Sequence, residues 1–284
     1  MSPVVISEMP TQTSNMRALI DSSVCVDVAR GNLKPEDWRA LRETIQRNFA
    51  YFVSPLTFIE LVSGLGKGDE GYYQRNLEAL KILLEPGKRF LQFPNRFVLD
   101  RVLGIVKEHP GFEPTDFSTW ATVLLNAATK KQLADGDVDL MDLSRDATFG
   151  FDFTKIIKPL EEGITNHVAI YEGIRSRKEP CPTRQQWADA FLVANGLPLT
   201  QTNRQVMLER IDAAITLASH LCELARTTDY KFEKHKGDWI DGQHLYYLAD
   251  PEIHIITMDK PLKDRIKSSS QAHRVLTPEE VLAM

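Results

Sequence analysis

Three features of the sequence predict an α/β fold. Short apolar runs near both ends, Arg17-Ala18-Leu19-Ile20, Tyr51-Phe52-Val53 and Ile253-His254-Ile255-Ile256, have the length and β-branched or aromatic content of buried strands. Each run ends on a hydroxyl or an acid: Asp21-Ser22-Ser23, Ser54-Pro55 and Thr257-Met258-Asp259. Between them, from about Tyr72 to Thr228, apolar residues recur at helical spacing with only short breaks.

The chain has 284 residues, 43% of them hydrophobic, which is enough for a sizeable core in one or two domains. Its net charge of −5 excludes a global basic field, so a nucleic-acid ligand would need a local basic surface. Cys25, Cys181 and Cys222 are far apart and lack metal-ligand spacing. That odd, scattered set predicts no disulfide framework and a reducing compartment. The N-terminus has no basic segment leading into an apolar core, and no apolar run is long enough for a bilayer. The expectation is a cytoplasmic protein with no membrane partner.

In chain order, Met1 to Asn15 reads as a polar lead-in. After the first run, Asp21-Ser22-Ser23 reads equally as a helix cap or as a carboxylate held by hydroxyls beside a cation. Val24, Cys25, Val26 and Val28 read as a continued buried segment, broken at Gly31-Asn32. Pro35-Glu36-Asp37 opens a helix with Trp38, Leu41, Ile45 and Phe49 on one face. Ser54-Pro55 starts another, with Glu60 set in the apolar sequence Phe58-Ile59-Glu60-Leu61-Val62. An acid there is costly unless exposed, paired or bound to a metal. Gly64, Gly66 and Gly68 follow a helix and lack a Gly-Lys-Ser/Thr ending, which excludes a phosphate loop.

Further helices are expected around Leu77–Leu83, Phe97–Val106, Trp120–Ala127, Ile156–Ile174 and Trp187–Leu192, the last capped by Thr183. Leu208 to Cys222 reads as one long stripe ending near Arg226, and Pro110–Pro114 and Gly136–Asp139 read as turns. His167, His220, His235 and His244 share no motif and read as structural or solvated. Near the C-terminus, Gly237-Asp238-Trp239-Ile240-Asp241 is an acidic helix start, continued by apolar Leu245, Tyr246, Leu248 and Ala249. Asp259 follows the strand at Ile253–Ile256, at a carboxyl end where α/β sheets place ligands. Acids repeated at element ends suit a hard cation such as Mg²⁺ or Mn²⁺, and equally suit helix caps. Basic residues flank them: Lys231, Lys234 and Lys236 before, Lys260, Lys263, Arg265 and Lys267 after. Arg274-Val275-Leu276 is a last short strand, and Thr277-Pro278-Glu279-Glu280 carries a capping box.

Taken together, the ends of the chain resemble the PIN-domain family of metal-dependent nucleases, which includes the toxins of VapBC-type modules. Ala18-Leu19-Ile20-Asp21-Ser22-Ser23-Val24 looks like the family's first strand and acid, with Ser22-Ser23 in place of the more usual Thr-Asn. The segment from Ser54 to Leu65 resembles the second acidic motif. Gly237-Asp238-Trp239-Ile240-Asp241 looks like the third, with two aspartates competing for the role. Ile255-Ile256-Thr257-Met258-Asp259-Lys260 is similar to the strand end that carries the fourth.

The resemblance implies a three-layer α/β/α parallel sheet divided between 16–84 and 229–284, with 85–228 as a large all-helical insertion. It implies an endonuclease that hydrolyses RNA phosphodiester bonds with Mg²⁺ or Mn²⁺, on single-stranded or structured RNA. Asp21, Glu60, Asp241 and Asp259 would be the catalytic acids and metal ligands. Asp238 would support or replace Asp241, Ser23 and Thr257 would orient carboxylates or water, and Lys260 would contact phosphate. The insertion offers a surface for an antitoxin or another protein partner, and a homodimer is compatible. Two alternatives remain at this point: a binding or scaffold module with weak or no catalysis, and a DNA nuclease of the same chemistry.

Overall fold

The computed structural model describes residues 16–65, 69–87, 89–105, 117, 121, 125, 154–177 and 180–284. Four parallel strands form one sheet in the order β2-β1-β3-β4. They are β1 (Arg17–Ile20), β2 (Ala50–Phe52), β3 (Ile253–Ile256) and β4 (Val275–Leu276). Ile20 lies opposite Ile256, so the strands from the two ends of the chain stop side by side. The described helices are α1 (Ser22–Ala29), α2 (Pro35–Asn48), α3 (Pro55–Leu65), α4 (Glu70–Leu84), α5 (Pro94–Leu103) and α6 (Thr154–Arg177). They continue with α7 (Arg184–Ala194), α8 (Gln201–Arg210), α9 (Asp212–Thr227), α10 (Gly237–Leu245), α11 (Lys260–Arg265) and α12 (Pro278–Leu282). None is long and apolar enough to cross a membrane.

Strand alternation divides the core. Ala18, Ile20 and Ile256 face a cluster with Val24 and Cys25 of α1, Leu41 and Ile45 of α2, Phe58 and Ile59 of α3 and Leu80 of α4. Leu19 and Ile253 face the other way, onto Phe97 of α5 and Tyr247. On that same side Ile255 and Val275 join Leu217 and Leu221 of α9, Leu245 and Leu262. The sheet is therefore covered on both faces, as a parallel sheet requires. The second cover comes largely from the segment read as an insertion. Its start also reaches the sheet edge, where Phe90 makes a parallel bridge to Val53. The described parts of 85–228 are otherwise helical and packed on the core. Gly163 of α6 marks one close approach: an added Cβ would fall 2.4 Å from the Trp239 ring of α10.

Local signals explain most boundaries. The Asp21 side chain accepts the Ser22 amide and turns the chain straight from β1 into α1. Val24 to Val28, expected as a buried segment, is consequently helical, with Val24 and Cys25 buried and Val26 and Val28 partly so. Gly104, at φ 62, ends α5 before Ile105. The capping boxes at Thr183 and Thr277 both form. The expected stripe from Leu208 to Cys222 is two helices, because Ile211 leaves helical geometry at φ −113 and ψ 29 while its side chain stays in the core. The helix expected at Trp120–Ala127 (positions 121 and 125 apart) and the turns at 110–114 and 136–139 lie outside the described residues.

The cysteine reading needs correction. Cys181 and Cys222 are bonded, with Cα atoms 5.8 Å apart across 41 positions, while Cys25 is free and buried. Packing of α9 against the segment leading into α7 brings them together, and spacing along the chain does not reveal it. Peptide mapping without reductant should recover a linked Cys181–Cys222 peptide and an unlinked Cys25 peptide. Recovery of three free thiols would contradict the pairing.

Candidate metal centre

The site lies at the carboxyl ends of β1 and β3. These strands are neighbours in the sheet, but the chain leaves β1 toward β2 on one side and leaves β3 toward β4 on the other. A crevice opens at such a switch point. The Asp21 amide donates to the Ile256 carbonyl at 2.9 Å, which fixes Asp21 beside Thr257.

Asp21 is buried and strongly held. One carboxylate oxygen accepts the Ser22 amide at 2.8 Å. The other accepts the Ser23 hydroxyl at 2.6 Å and the Thr257 hydroxyl at 2.9 Å. Those hydroxyls accept in turn: Ser23 Oγ takes the Met258 amide and Thr257 Oγ1 takes the Asp259 amide. This network joins the two strand ends and gives both hydroxyls the orienting contact expected of them. Asp259 caps α11, with one oxygen accepting the Leu262 amide at 2.8 Å.

Glu60 and Asp241 complete the group electrostatically. Burial, then the charge of Asp21, pushes the Glu60 carboxyl up to about 7, partly offset by the Ser22 hydroxyl. Burial pushes Asp241 up to about 9, assisted by the negative charges of Asp21, Asp259, Asp238 and Glu60. Asp241 has no side-chain hydrogen bond among the described residues. Thus α3 and α10 bring their acids to the same end of the sheet as Asp21 and Asp259, although Glu60 and Asp241 lie 181 positions apart.

The two aspartates of α10 have separate fates. Asp238 is buried and committed: Arg265 Nη1 donates to it at 2.7 Å and the Tyr230 hydroxyl at 2.8 Å. Its charge is thereby compensated within the protein, whereas Asp241 faces the other acids. Tyr230→Phe should cost about 1.5 kcal/mol of stability, the value of a hydrogen bond to a charged partner at its lower end. A Mn²⁺-induced rise in melting temperature should be unaffected. A lost metal response in that variant would return Asp238 to the site.

His244, expected to be structural or solvated, takes a structural place beside the acids. It is buried one turn after Asp241, with Nε2 3.0 Å from both Thr57 Oγ1 and Ser54 Oγ. Its Nδ1 is 3.9 Å from Asp21 Oδ1. Burial lowers the imidazole pKa, opposed by the Asp21 charge, so the ring is neutral and braces α10 against the start of α3. Its i+3 spacing from Asp241 was the one signal available. Lys260 is exposed at the start of α11 and has no ion pair among the described residues. Lys263 and Arg265 of the same basic run are paired, with Glu280 and Asp238.

Among the described residues, no three His, Cys, Asp or Glu side chains are grouped so as to hold a metal ion as they stand. The donor chemistry nonetheless suits a hard cation: several carboxylates, two of them with raised pKa and one of those without a hydrogen-bond donor. No protein-family model, curated protein or solved structure matches this chain.

Proposed function

We propose that this protein is a Mg²⁺- or Mn²⁺-dependent endoribonuclease of PIN-like design. The observation that carries the reading is Asp241, an acid without a donor, partly withdrawn from water and repelled by its neighbours. Such a group is stabilised by a proton or by a cation. Asp21, Glu60, Asp241 and Asp259 would hold the ion. Bound there, it would acidify a water and neutralise charge on the phosphate undergoing hydrolysis. Ser23 and Thr257 keep Asp21 fixed by donating hydrogen bonds to one carboxylate oxygen. His244, neutral and buried, positions Asp241 and Asp21 rather than moving a proton. Lys260, free at the rim, is available to a phosphate oxygen.

A second reading, a PIN-like binding module without catalysis, is favoured by one observation. The acids are not grouped closely enough among the described residues to grip an ion without adjustment. Incubation of the purified protein with total RNA separates the two. Cleavage in Mn²⁺ that EDTA stops is the expected result, and intact RNA at stoichiometric protein would overturn the nuclease assignment. The helical segment offers a surface for an antitoxin or other partner, and the Cys181–Cys222 bond removes the cysteine argument for a reducing compartment.

A further inference from the structure

Beside Glu60, between α1, α3 and α4, a cleft of about 260 Å³ opens to solvent. Ser22 and Glu60 form the end nearest the acids, and Arg30, Tyr72, Arg75 and Asn76 form the rest of its polar wall. Gly64 shapes it: an added Cβ there would lie 2.5 Å from the Asn76 side-chain oxygen, so a larger residue would displace the Asn76 amide from its present place. Asn76 is fixed by donating to the Tyr72 carbonyl at 2.8 Å. The Arg75 guanidinium lies 5.7 Å from the centre of the Tyr72 ring. Arg30 and Arg75 are both exposed, and neither has an acidic partner among the described residues.

We infer that this cleft holds one nucleotide of the single-stranded RNA substrate next to the cleavage site, with Arg30 and Arg75 on its phosphate and Tyr72 beneath its base. The inference rests on the nuclease reading and names where the strand runs. Two uncommitted guanidinium groups on a chain of net charge −5 make a local anion-attracting point. Their planar forks match phosphate oxygens. The volume lies below that of most whole-ligand sites, roughly 300–1,000 Å³, and fits one unit of a polymer. An aromatic ring beside an arginine offers a stacking face to an unpaired base but not to one in a duplex. The two arginines draw this phosphate to their end of the cleft, so the chain enters the site from α4.

The test uses the full chain carrying Asp259→Asn, which blocks cleavage, and a labelled single-stranded oligoribonucleotide in Mg²⁺. Adding Arg30→Ala and Arg75→Ala should raise Kd about tenfold and reduce the slope of log affinity against log salt by about 0.7, the value for one neutralised phosphate on a single strand. Tyr72→Ala alone should weaken binding about fivefold or more. In the active parent background the arginine pair should raise KM with little change in kcat. If the parent cleaves RNA and the arginine variants keep its KM, Kd and salt slope, the cleft is not a subsite and the nuclease reading stands. If the parent neither cleaves nor binds RNA, both fall together. Circular dichroism unchanged from the parent is expected, since both arginines are exposed.

Discussion

Asp259→Asn should reduce Mn²⁺-dependent RNA cleavage by about 100-fold or more while leaving the protein folded. The two halves of this expectation have different causes. Asp259 caps α11 through one oxygen that accepts the Leu262 amide. Asparagine supplies the same acceptor, and the two residues are nearly equal as caps. The substitution therefore preserves the local fold and removes one negative charge from the carboxylate group. That charge would help hold the cation, whose removal of barrier is worth several kcal/mol in metal-assisted hydrolysis. Asp21→Asn is a less clean test. Asp21 accepts from three donors, and an amide nitrogen would meet hydroxyls now placed to donate. Cleavage measured in limiting Mn²⁺ checks the prediction, and parental activity in Asp259→Asn would remove Asp259 from the site.

Asp241→Asn should stabilise the metal-free protein at pH 8 by about 2 kcal/mol, or roughly 4–8 °C in melting temperature. Partial solvation keeps this well under what the full displacement of its pKa implies. The sign follows from linkage. The folded Asp241 carboxyl is raised from its ordinary 3.8 to about 9, and Glu60 from 4.5 to about 7. Both groups bind a proton more tightly folded than unfolded, so their contribution is fully present below about pH 4. It is lost as pH rises through about 7 for Glu60 and about 9 for Asp241. Metal-free parent protein should lose stability from pH 5 to pH 9, and Asp241→Asn should flatten the alkaline part of that fall. Divalent cation should restore the parent far more than the variant. A variant less stable than the parent at pH 8 would mean that Asp241 is compensated in a way its surroundings do not suggest.

Much of the sheet was readable from sequence because its strands are short, apolar and sharply bounded. Arg17–Ile20 and Ile253–Ile256 coincide with the observed β1 and β3. The order of acids and the hydroxyls Ser23 and Thr257 were readable because each follows a strand or starts a helix. What the sequence hid depends on long-range contact. Asp238 and Asp241 occupy one face of α10, and Tyr230 together with Arg265, 27 positions later, distinguishes them. His244 gains meaning from Ser54 and Thr57, nearly two hundred positions earlier. The division at Ile211 is invisible to periodicity because the side chain remains buried across the break. The segment from 85 to 228 read as a helical insertion because its stripes repeat at helical spacing, and spacing does not show that α5 and α9 cover one face of the sheet.

The central claim is that acids from β1, α3, α10 and β3 form one cation site. Titration of the metal-free protein with Mn²⁺, read by the loss of free-ion electron paramagnetic resonance signal, tests it most directly because it needs no substrate. The expected result is saturable binding of one or two ions by the parent, weakened at least about tenfold by Asp241→Asn and by Asp259→Asn, and unchanged in Tyr230→Phe. Parent protein that leaves the Mn²⁺ signal undiminished, or equal binding by parent and Asp241→Asn, would contradict it.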